Sequence, residues 1–264
     1  MQEKGDILSR RELRRYSKQI LIPEIGIEGQ KKIKKASVMI IGAGGLGSPV
    51  LQYLAGAGIG KIGIVDFDIV SEENLQRQIL YGAEDVGKLK AIIAGKRLEK
   101  LNSFVNIEIL NIKVDSNNAL KLFRNYDIII DATDNLSARY LINDACVILN
   151  KPMIHGAIYK YEAQVAVFNY QGGPTYRCYN PYRETGESLD QLPSEVGIIN
   201  VLPGIAGTYM AGETVKIITG TGEVLSGKVL LINIADNSHR ILSVKGDPRN
   251  RSVAGVSNTE ILLS

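Results

Sequence analysis

The sequence predicts an α/β fold: a doubly wound, Rossmann-like, mainly parallel sheet extended by antiparallel strands at its C-terminal end. Three observations carry this reading. Short apolar runs alternate with helix-forming stretches from residue 36 to residue 158, the pattern of a parallel sheet with right-handed crossovers. A glycine-rich turn, Gly42-Ala43-Gly44-Gly45-Leu46-Gly47, lies directly between one such run and the helical stretch after it. In the last third, Lys228–Ile234 and His239–Val244 read as antiparallel strands.

The elements follow in order. Ser9–Ile20 reads as a helix, with Ser9 as N-cap and Glu12 at capping-box spacing. Glu28–Lys35 is a second short helix. Ala36–Gly42 is too short for a buried helix and suits a strand covered on both faces. Leu46–Ala57 is helical, Lys61–Asp66 a strand, and Lys88–Leu101 a helix with Leu89, Ile92, Ile93 and Leu98 as its apolar positions. Asn106–Ile112 and Tyr126–Asp131 are strands three and four. Ser137–Leu149 is a helix, Pro152–Ile158 a fifth strand, and Glu162–Tyr170 a strand of a hairpin or meander. Pro174–Gly197 is polar and is expected to be a long, mobile loop, the kind that is usually functional. Ile198–Thr219 reads as a helix despite Pro203, Gly204 and Gly207. There is no repeat and no clear linker. One domain is expected over residues 1–264, with N-terminal helices (1–35), a nucleotide-binding core (36–158), a crossover loop (about 174–197) and a C-terminal helix with strands (198–264).

The chain has 264 residues, 45% of them apolar, which suits a soluble protein with a large core. A net charge of +3, from 31 basic and 28 acidic residues, gives no argument for nucleic acid as a partner. The densest basic run, Lys31-Lys32-Ile33-Lys34-Lys35, reads as a solvated helix face. Two cysteines, Cys146 and Cys178, exclude a disulfide framework. The charged N-terminus is unlike a signal peptide, and no apolar stretch is long enough to cross a membrane. A cytoplasmic protein is expected.

Gly42, Gly44 and Gly47 fit G-x-G-x-x-G. Glycine lets the backbone approach phosphates, and the N–H groups at the helix start point at them. Asp66, at the end of the second strand, is placed to hold ribose hydroxyls. To this point NAD and ATP fit equally well. The polar segment Asp66–Gln78 separates them, because it brings Asn74 and Arg77 to the same sheet edge, and Lys90 follows. Two cations suit a triphosphate better than a dinucleotide's diphosphate. Asp134, just past the fourth strand in Asp131-Ala132-Thr133-Asp134-Asn135, is a natural Mg²⁺ ligand facing phosphates. The chemistry implied is attack of a carboxylate oxygen on the α-phosphorus of ATP, with pyrophosphate leaving. Positioning and charge supply most of the stabilisation.

These residues resemble the ThiF/MoeB/HesA family, bacterial relatives of ubiquitin-activating enzymes, from about Arg15 to about Ile234. The matching blocks are Arg15-Tyr16-Ser17-Lys18-Gln19, the glycine loop, Asp66-Phe67-Asp68, Asn74-Leu75-Gln76-Arg77-Gln78, Lys90, Asp134-Asn135, and Gly204-Ile205-Ala206-Gly207 leading to Glu213. The resemblance implies an ATP-dependent adenylyltransferase acting as a homodimer. It implies a nucleotide site formed by the loop glycines, Gly45 included, with Asp66, Asn74, Arg77, Gln78, Lys90 and Asn135, and catalytic roles for Arg77, Lys90 and the metal-binding Asp134. It also implies a cation donated to the partner subunit's ATP, here Lys18 or, in its place, Arg15.

Two departures stand out. The family's structural zinc is held by two C-x-x-C pairs. The first falls here at Thr175-Tyr176-Arg177-Cys178, and the second, near Asp247 to Gly255, has no cysteine. Zinc is expected to be absent. The loop cysteine used by many members for acyl transfer is missing from Leu192-Pro193-Ser194-Glu195-Val196-Gly197. The enzyme is therefore expected to stop at the adenylate and pass the acyl group to another protein, with Cys146 a core residue and Cys178 not expected to be a nucleophile. The carboxylate is either the C-terminal Gly-Gly of a ubiquitin-like sulfur carrier or a small molecule such as guanylylpyridinol. Tyr176, Tyr179, Tyr182, Arg177 and Arg183 of the 174–197 loop would suit a heterocycle or a peptide tail. An adaptor that binds nucleotide without turnover and a Rossmann dehydrogenase are the rival readings.

Overall fold

The computed structural model describes residues 7–181, 197–253, 255 and 256. Eight strands form one sheet: β1 (Ser37–Ile41), β2 (Lys61–Val65), β3 (Asn106–Leu110), β4 (Ile128–Asp131), β5 (Met153–Tyr159), β6 (Glu162–Phe168), β7 (Lys228–Asn233) and β8 (Ser238–Ser243). Their order is β3-β2-β1-β4-β5-β6-β7-β8. Pairing is parallel from β3 through β5 and antiparallel from β5 through β8. The expected architecture is the observed one.

Strand alternation divides the core. Val38, Ile40, Ile62, Ile64 and Ile130 face one side, where α3 (Gly26–Lys35), α4 (Gly47–Ala57), α5 (Lys90–Leu101) and α9 (Leu202–Thr219) lie. Met39, Ile41, Ile129 and Met153 face the other, with α6 (Ala119–Phe123), α7 (Leu136–Ile148) and α8 (Tyr176–Tyr179). Both faces are covered, so the parallel strands read as continuous apolar runs. Each fully buried Ile or Leu contributes about 1.5–3 kcal/mol relative to exposure.

Four expectations change. The single helix over Ser9–Ile20 is two, α1 (Arg10–Arg15) and α2 (Ser17–Ile20). The Ser9–Glu12 capping box forms as expected, with Glu12 N–H donating to Ser9 Oγ at 3.3 Å. The break falls at Tyr16, which leaves the helix to bury its ring against Gly58 and accept from Asn102 Nδ2 at 2.9 Å. A Cβ on Gly58 would lie 2.4 Å from that ring. The short helix α6 was missed. The segment 174–197 is not a bare loop: Thr175 and Tyr176 are buried and α8 packs on α7. Residues 182–196 of that loop, with Tyr182, Arg183 and the stretch Leu192–Val196, lie outside the described residues.

The helix expected over Ile198–Thr219 begins at Leu202, with Pro203 in its first turn. Gly207 lets it lie directly on α4, since a Cβ there would sit 2.7 Å from the Leu46 carbonyl oxygen. Among the described residues no helix is long and apolar enough to cross a membrane.

Candidate active site

The strand order reverses between β1 and β4, whose following helices leave on opposite faces of the sheet. Such a switch point opens a crevice at the carboxyl ends of the strands. The glycine loop lines one wall. Gly42 N–H donates to Val65 O at 2.8 Å, and Ala132 N–H donates to Ile41 O at 2.9 Å, so the loops after β1, β2 and β4 meet here. Gly42 has φ +95°, and a Cβ would lie 2.7 Å from Ala132 O. A Cβ on Gly47 would fall 2.0 Å from Gly42 O. These two glycines close the turn. Gly44 and Gly45 differ: their nearest neighbours would be the Gln78 amide at 3.5 Å and Pro203 at 3.2 Å. That leaves a cradle floored by backbone, the shape a phosphate chain fills.

Asp66 directly follows β2 and is buried. Its Oδ2 accepts from Ala43 N–H at 2.7 Å and its Oδ1 from Asp68 N–H at 2.8 Å. The carboxylate thereby sets the loop, and each oxygen keeps a free lone pair for a ribose hydroxyl. Burial raises its pKa, and the two backbone hydrogen bonds and Lys90 only partly oppose this. Tyr81 OH donates to Ala43 O at 2.8 Å from the other side. Lys90 opens α5 and is 6% exposed, pairing with Asp68 at 3.2 Å. A buried ammonium with one exposed carboxylate partner is poised to exchange it for phosphate.

The polar segment after β2 folds into a 3₁₀ turn, Glu72–Asn74, and Arg77 Nη1 donates to Glu73 O at 3.1 Å. Gln78 is buried and its Oε1 has no partner. A buried acceptor without a donor is costly and suits a ligand hydroxyl or amine.

The wall opposite is the loop after β4. Asp131 and His155 occupy paired register positions on β4 and β5 and are 0% and 1% exposed. His155 Nδ1 lies 2.7 Å from Asp131 Oδ2, while Asp131 Oδ1 accepts from Thr133 N–H at 3.1 Å and Thr133 Oγ1 at 2.6 Å. Burial pushes the Asp131 pKa up, but the His155 hydrogen bond, Arg139 and Thr133 outweigh it and hold the carboxyl below its usual range. Burial dominates at His155 and holds the ring neutral. The pair is a neutral imidazole donating Nδ1–H to a carboxylate. Asp134 follows in the loop after β4 and is exposed, and Asn135 caps α7, accepting from Ala138 N–H at 2.8 Å. The sequence reading passed over His155; an aspartate ending an apolar strand and one of only two histidines in the chain were the available signals.

The structure therefore gathers Gly42, Gly44, Gly45, Gly47, Asp66, Arg77, Gln78 and, through Asp68, Lys90 around the loop, while Asn74 lies in the 3₁₀ turn before Arg77, Asp134 is exposed after β4, and Asn135 caps α7. It does not bring Lys18 or Arg15 there. Arg15 bonds Leu101 O at the far end of α5, and Tyr16 packs on Gly58 at the far end of α4. Both ends lie at the opposite edge of the sheet. Glu213 is structural: it is buried, accepts from Leu225 N–H at 2.8 Å and pairs with Lys216.

Among the described residues no three His, Cys, Asp or Glu side chains gather around a metal position. One exposed carboxylate beside a phosphate cradle nonetheless fits Mg²⁺, which is bound by one or two carboxylates together with phosphates and waters. Zinc does not fit. Cys178 Sγ has Thr175 Oγ1 at 3.4 Å, Asp247 N–H donating at 3.3 Å and Asn250 Nδ2 at 3.7 Å. The Asp247 carboxylate turns away to Arg249 at 2.7 Å. One thiol among hydrogen-bond donors offers no tetrahedral thiolate set. Partial burial raises the thiol's pKa, but these donors outweigh it and leave the value lowered. Cys178 sits on the α7–α8 side of the sheet, away from the glycine loop, and Cys146 is a buried core residue.

Three of the five aromatic and basic residues expected to grip a substrate are engaged elsewhere. Tyr176 is buried between His155 and Phe168, at ring distances of 5.0 and 5.6 Å. Tyr179 OH donates to Gln164 at 2.8 Å. Arg177 makes a two-pronged pair with Asp144, both contacts at 2.7 Å.

A model of the ThiF family matches residues 16–253. A sulfur carrier protein adenylyltransferase of Thermus thermophilus is 45% identical over 246 residues, covering 91% of this chain and 90% of that protein. A probable molybdopterin-synthase adenylyltransferase of Porphyra purpurea is 51% identical over 222 residues, covering 84% of this chain and 58% of that one. Among solved structures, E. coli MccB with ATP superposes with a TM-score of 0.79 at 24% identity, over 95% of this chain and 76% of that chain. This last likeness is one of fold.

Proposed function

The chain belongs to the ThiF family, and on that premise we propose that it is an ATP-dependent adenylyltransferase acting on the C-terminal Gly-Gly carboxylate of a ubiquitin-like sulfur carrier protein. The observation that carries this is the crevice: a backbone phosphate cradle, a loop-setting carboxylate, two cations and one exposed aspartate at a single switch point. The near full-length match to a sulfur carrier protein adenylyltransferase supports the choice of substrate. The engagement of Tyr176, Tyr179 and Arg177 within the fold leaves three of the five loop residues considered for a heterocycle with other partners.

In the proposed reaction the carrier's carboxylate oxygen forms a bond to the α-phosphorus as the bond to the pyrophosphate oxygen breaks. Asp66 holds the ribose, the loop N–H groups and Gln78 hold the nucleotide, and Arg77 and Lys90 neutralise the β- and γ-phosphates. Lys90 leaves Asp68 to do so. Asp134 would hold Mg²⁺, which would supply charge neutralisation on the triphosphate. Positioning and preorganised charge provide the acceleration. A second protein's nucleophile then attacks the acyl carbon, and AMP leaves as the acyl–phosphate bond breaks.

One adenylation unit spans the chain, and the working form is a homodimer in which Lys18 completes the partner's site. The placement of Lys18 and Arg15 away from their own crevice supports this, as do the exposed Leu21, Ile22 and Ile27 on the same N-terminal helical layer. Two unpaired cysteines suit a reducing compartment, the cytoplasm. The test is pyrophosphate exchange with a carrier protein ending in Gly-Gly. Exchange that needs the carrier and Mg²⁺ is expected, and it should vanish in Asp134→Asn without loss of thermal stability. Carrier-independent NADH binding with no exchange would replace this reading by a dehydrogenase; nucleotide binding without exchange would leave an adaptor.

A further inference from the structure

Burying a carboxylate costs several kcal/mol unless it is fully satisfied, and an apolar replacement is often no less stable. Asp131 is 0% exposed, and nothing in the chemistry above requires it to touch substrate. What it does touch is informative. It takes Nδ1–H of His155 from the neighbouring strand, and both the N–H and the hydroxyl of Thr133 from the loop. The remaining polar group of Thr133, its carbonyl, accepts from Arg139 Nη2 at 3.2 Å. Every hydrogen-bonding group of Thr133 is thus held from below. The next residue is Asp134, which is exposed. His155 is in turn clamped by the rings of Tyr176 and Phe168, at 5.0 and 5.9 Å, so it has no freedom to turn from Asp131. The arrangement spends a buried charge on fixing one residue of backbone, Thr133, whose N lies 3.5 Å from where a Cβ on Gly42 would sit, directly before the exposed Asp134.

We infer that His155 is a positioning residue: through Asp131 and Thr133 it fixes the backbone from which Asp134 presents its carboxylate to a metal-bound triphosphate. The inference rests on the metal role proposed for Asp134. A carboxylate on a tethered backbone loses less freedom on binding the metal, and partners one step removed from a ligand typically set 10–100-fold in metal affinity. His155 does not enter the reaction. Its effect falls on the Mg²⁺-dependent part of nucleotide binding and spares the cradle formed by the glycine loop and Asp66.

The test is binding of α,β-methylene-ATP to the full chain, with Mg²⁺ titrated and a parallel series in EDTA. Asp134→Asn should remove the Mg²⁺-dependent gain. His155→Ala should raise the Mg²⁺ concentration for half-maximal gain about tenfold and leave binding in EDTA unchanged. His155→Asn should restore most of the loss, because its amide places an N–H where Nδ1–H was. Thr133→Val removes only a hydroxyl from a half-buried loop position. It reports in the same direction, by a smaller factor, if the alanine variant does not fold. Wild-type Mg²⁺ dependence in His155→Ala or Thr133→Val, with Asp134→Asn defective, overturns the inference alone. Equal losses with and without Mg²⁺ also overturn it, since a merely structural role predicts that. Wild-type behaviour of Asp134→Asn overturns the metal role itself and the inference with it.

Discussion

Gly47→Ala and Gly44→Ala change the same loop by the same methyl group and should fail in different ways. At Gly47 the added Cβ would lie 2.0 Å from Gly42 O and 2.9 Å from Gly42 C. A carbon needs more than 3 Å from an oxygen, so the loop or the start of α4 must move by about 1 Å. Neither moves freely. Val50, Leu51 and Leu54 of α4 are 0% exposed, and the loop is tied to β2 and β4. Overpacking of this kind costs about 1–3 kcal/mol. In a chain of this size each kcal/mol lowers Tm by about 2–4 °C, giving a fall of roughly 2–12 °C. At Gly44 the nearest atom would be Gln78 Nε2 at 3.5 Å, an ordinary contact. Gly44→Ala should keep Tm within about 1 °C and instead block the close approach of phosphate, weakening ATP by about tenfold or more, which is about 1.4 kcal/mol. Differential scanning calorimetry without nucleotide and titration calorimetry with ATP separate the two quantities. A normal Tm for Gly47→Ala, or a Gly44→Ala that loses stability and keeps its ATP affinity, would refute the division of the loop into closing and binding glycines.

Other expectations concern assembly, pH and the thiol. If Lys18 acts across a two-fold interface, Lys18→Ala and Asp134→Asn are each inactive alone. Mixed and re-equilibrated, they should recover about a quarter of wild-type exchange, since about half the dimers are mixed and each holds one intact site; no recovery argues for action within one chain. Stability should fall as pH drops below about 6.5, because the unfolded chain protonates His155 while the folded state, whose value is depressed, does not. Asp131, also depressed, adds a loss at more acidic pH. Urea midpoints between pH 5 and 8 should show a shallower slope for His155→Asn; an unchanged slope contradicts the neutral assignment. Cys178→Ser should retain adenylylation and acyl transfer to an external acceptor, and metal analysis should find no stoichiometric zinc. Loss of transfer with intact exchange, or one zinc per chain, goes against the reading of that corner.

What the sequence made legible was whatever depends on near neighbours. The apolar run before Gly42, the spacing of Gly42, Gly44 and Gly47, and Asp66 at a strand end are all local signals, and the structure realises each. Lys90 at the start of a helix was legible for the same reason. The Asp131–His155 pair was not, because it exists only through the register of β4 on β5. The break at Tyr16 depends on Gly58 and Asn102, and a capping box at Ser9 gives no hint of it. Arg177 reads as a loop cation until Asp144, far along the chain, is found beside it. Polarity marked that segment as solvent-facing; at its start a long-range ion pair and an aromatic cluster pack Thr175 and Tyr176 into the core.

The meeting of Gly42 with Ala132 also sets when the site comes into being. β1 and β4 are adjacent in the sheet, but β2, α5, β3 and α6 all lie between them in the chain. Closing so long a loop is among the slowest events in assembling a parallel sheet. The glycine turn can form early with β1, α4 and β2, yet the opposite wall arrives only when β4 docks. During refolding, nucleotide affinity should therefore appear with the last phase and be missing from any intermediate that holds only the first βαβ unit. ATP, by binding only the completed crevice, draws that final docking forward by mass action.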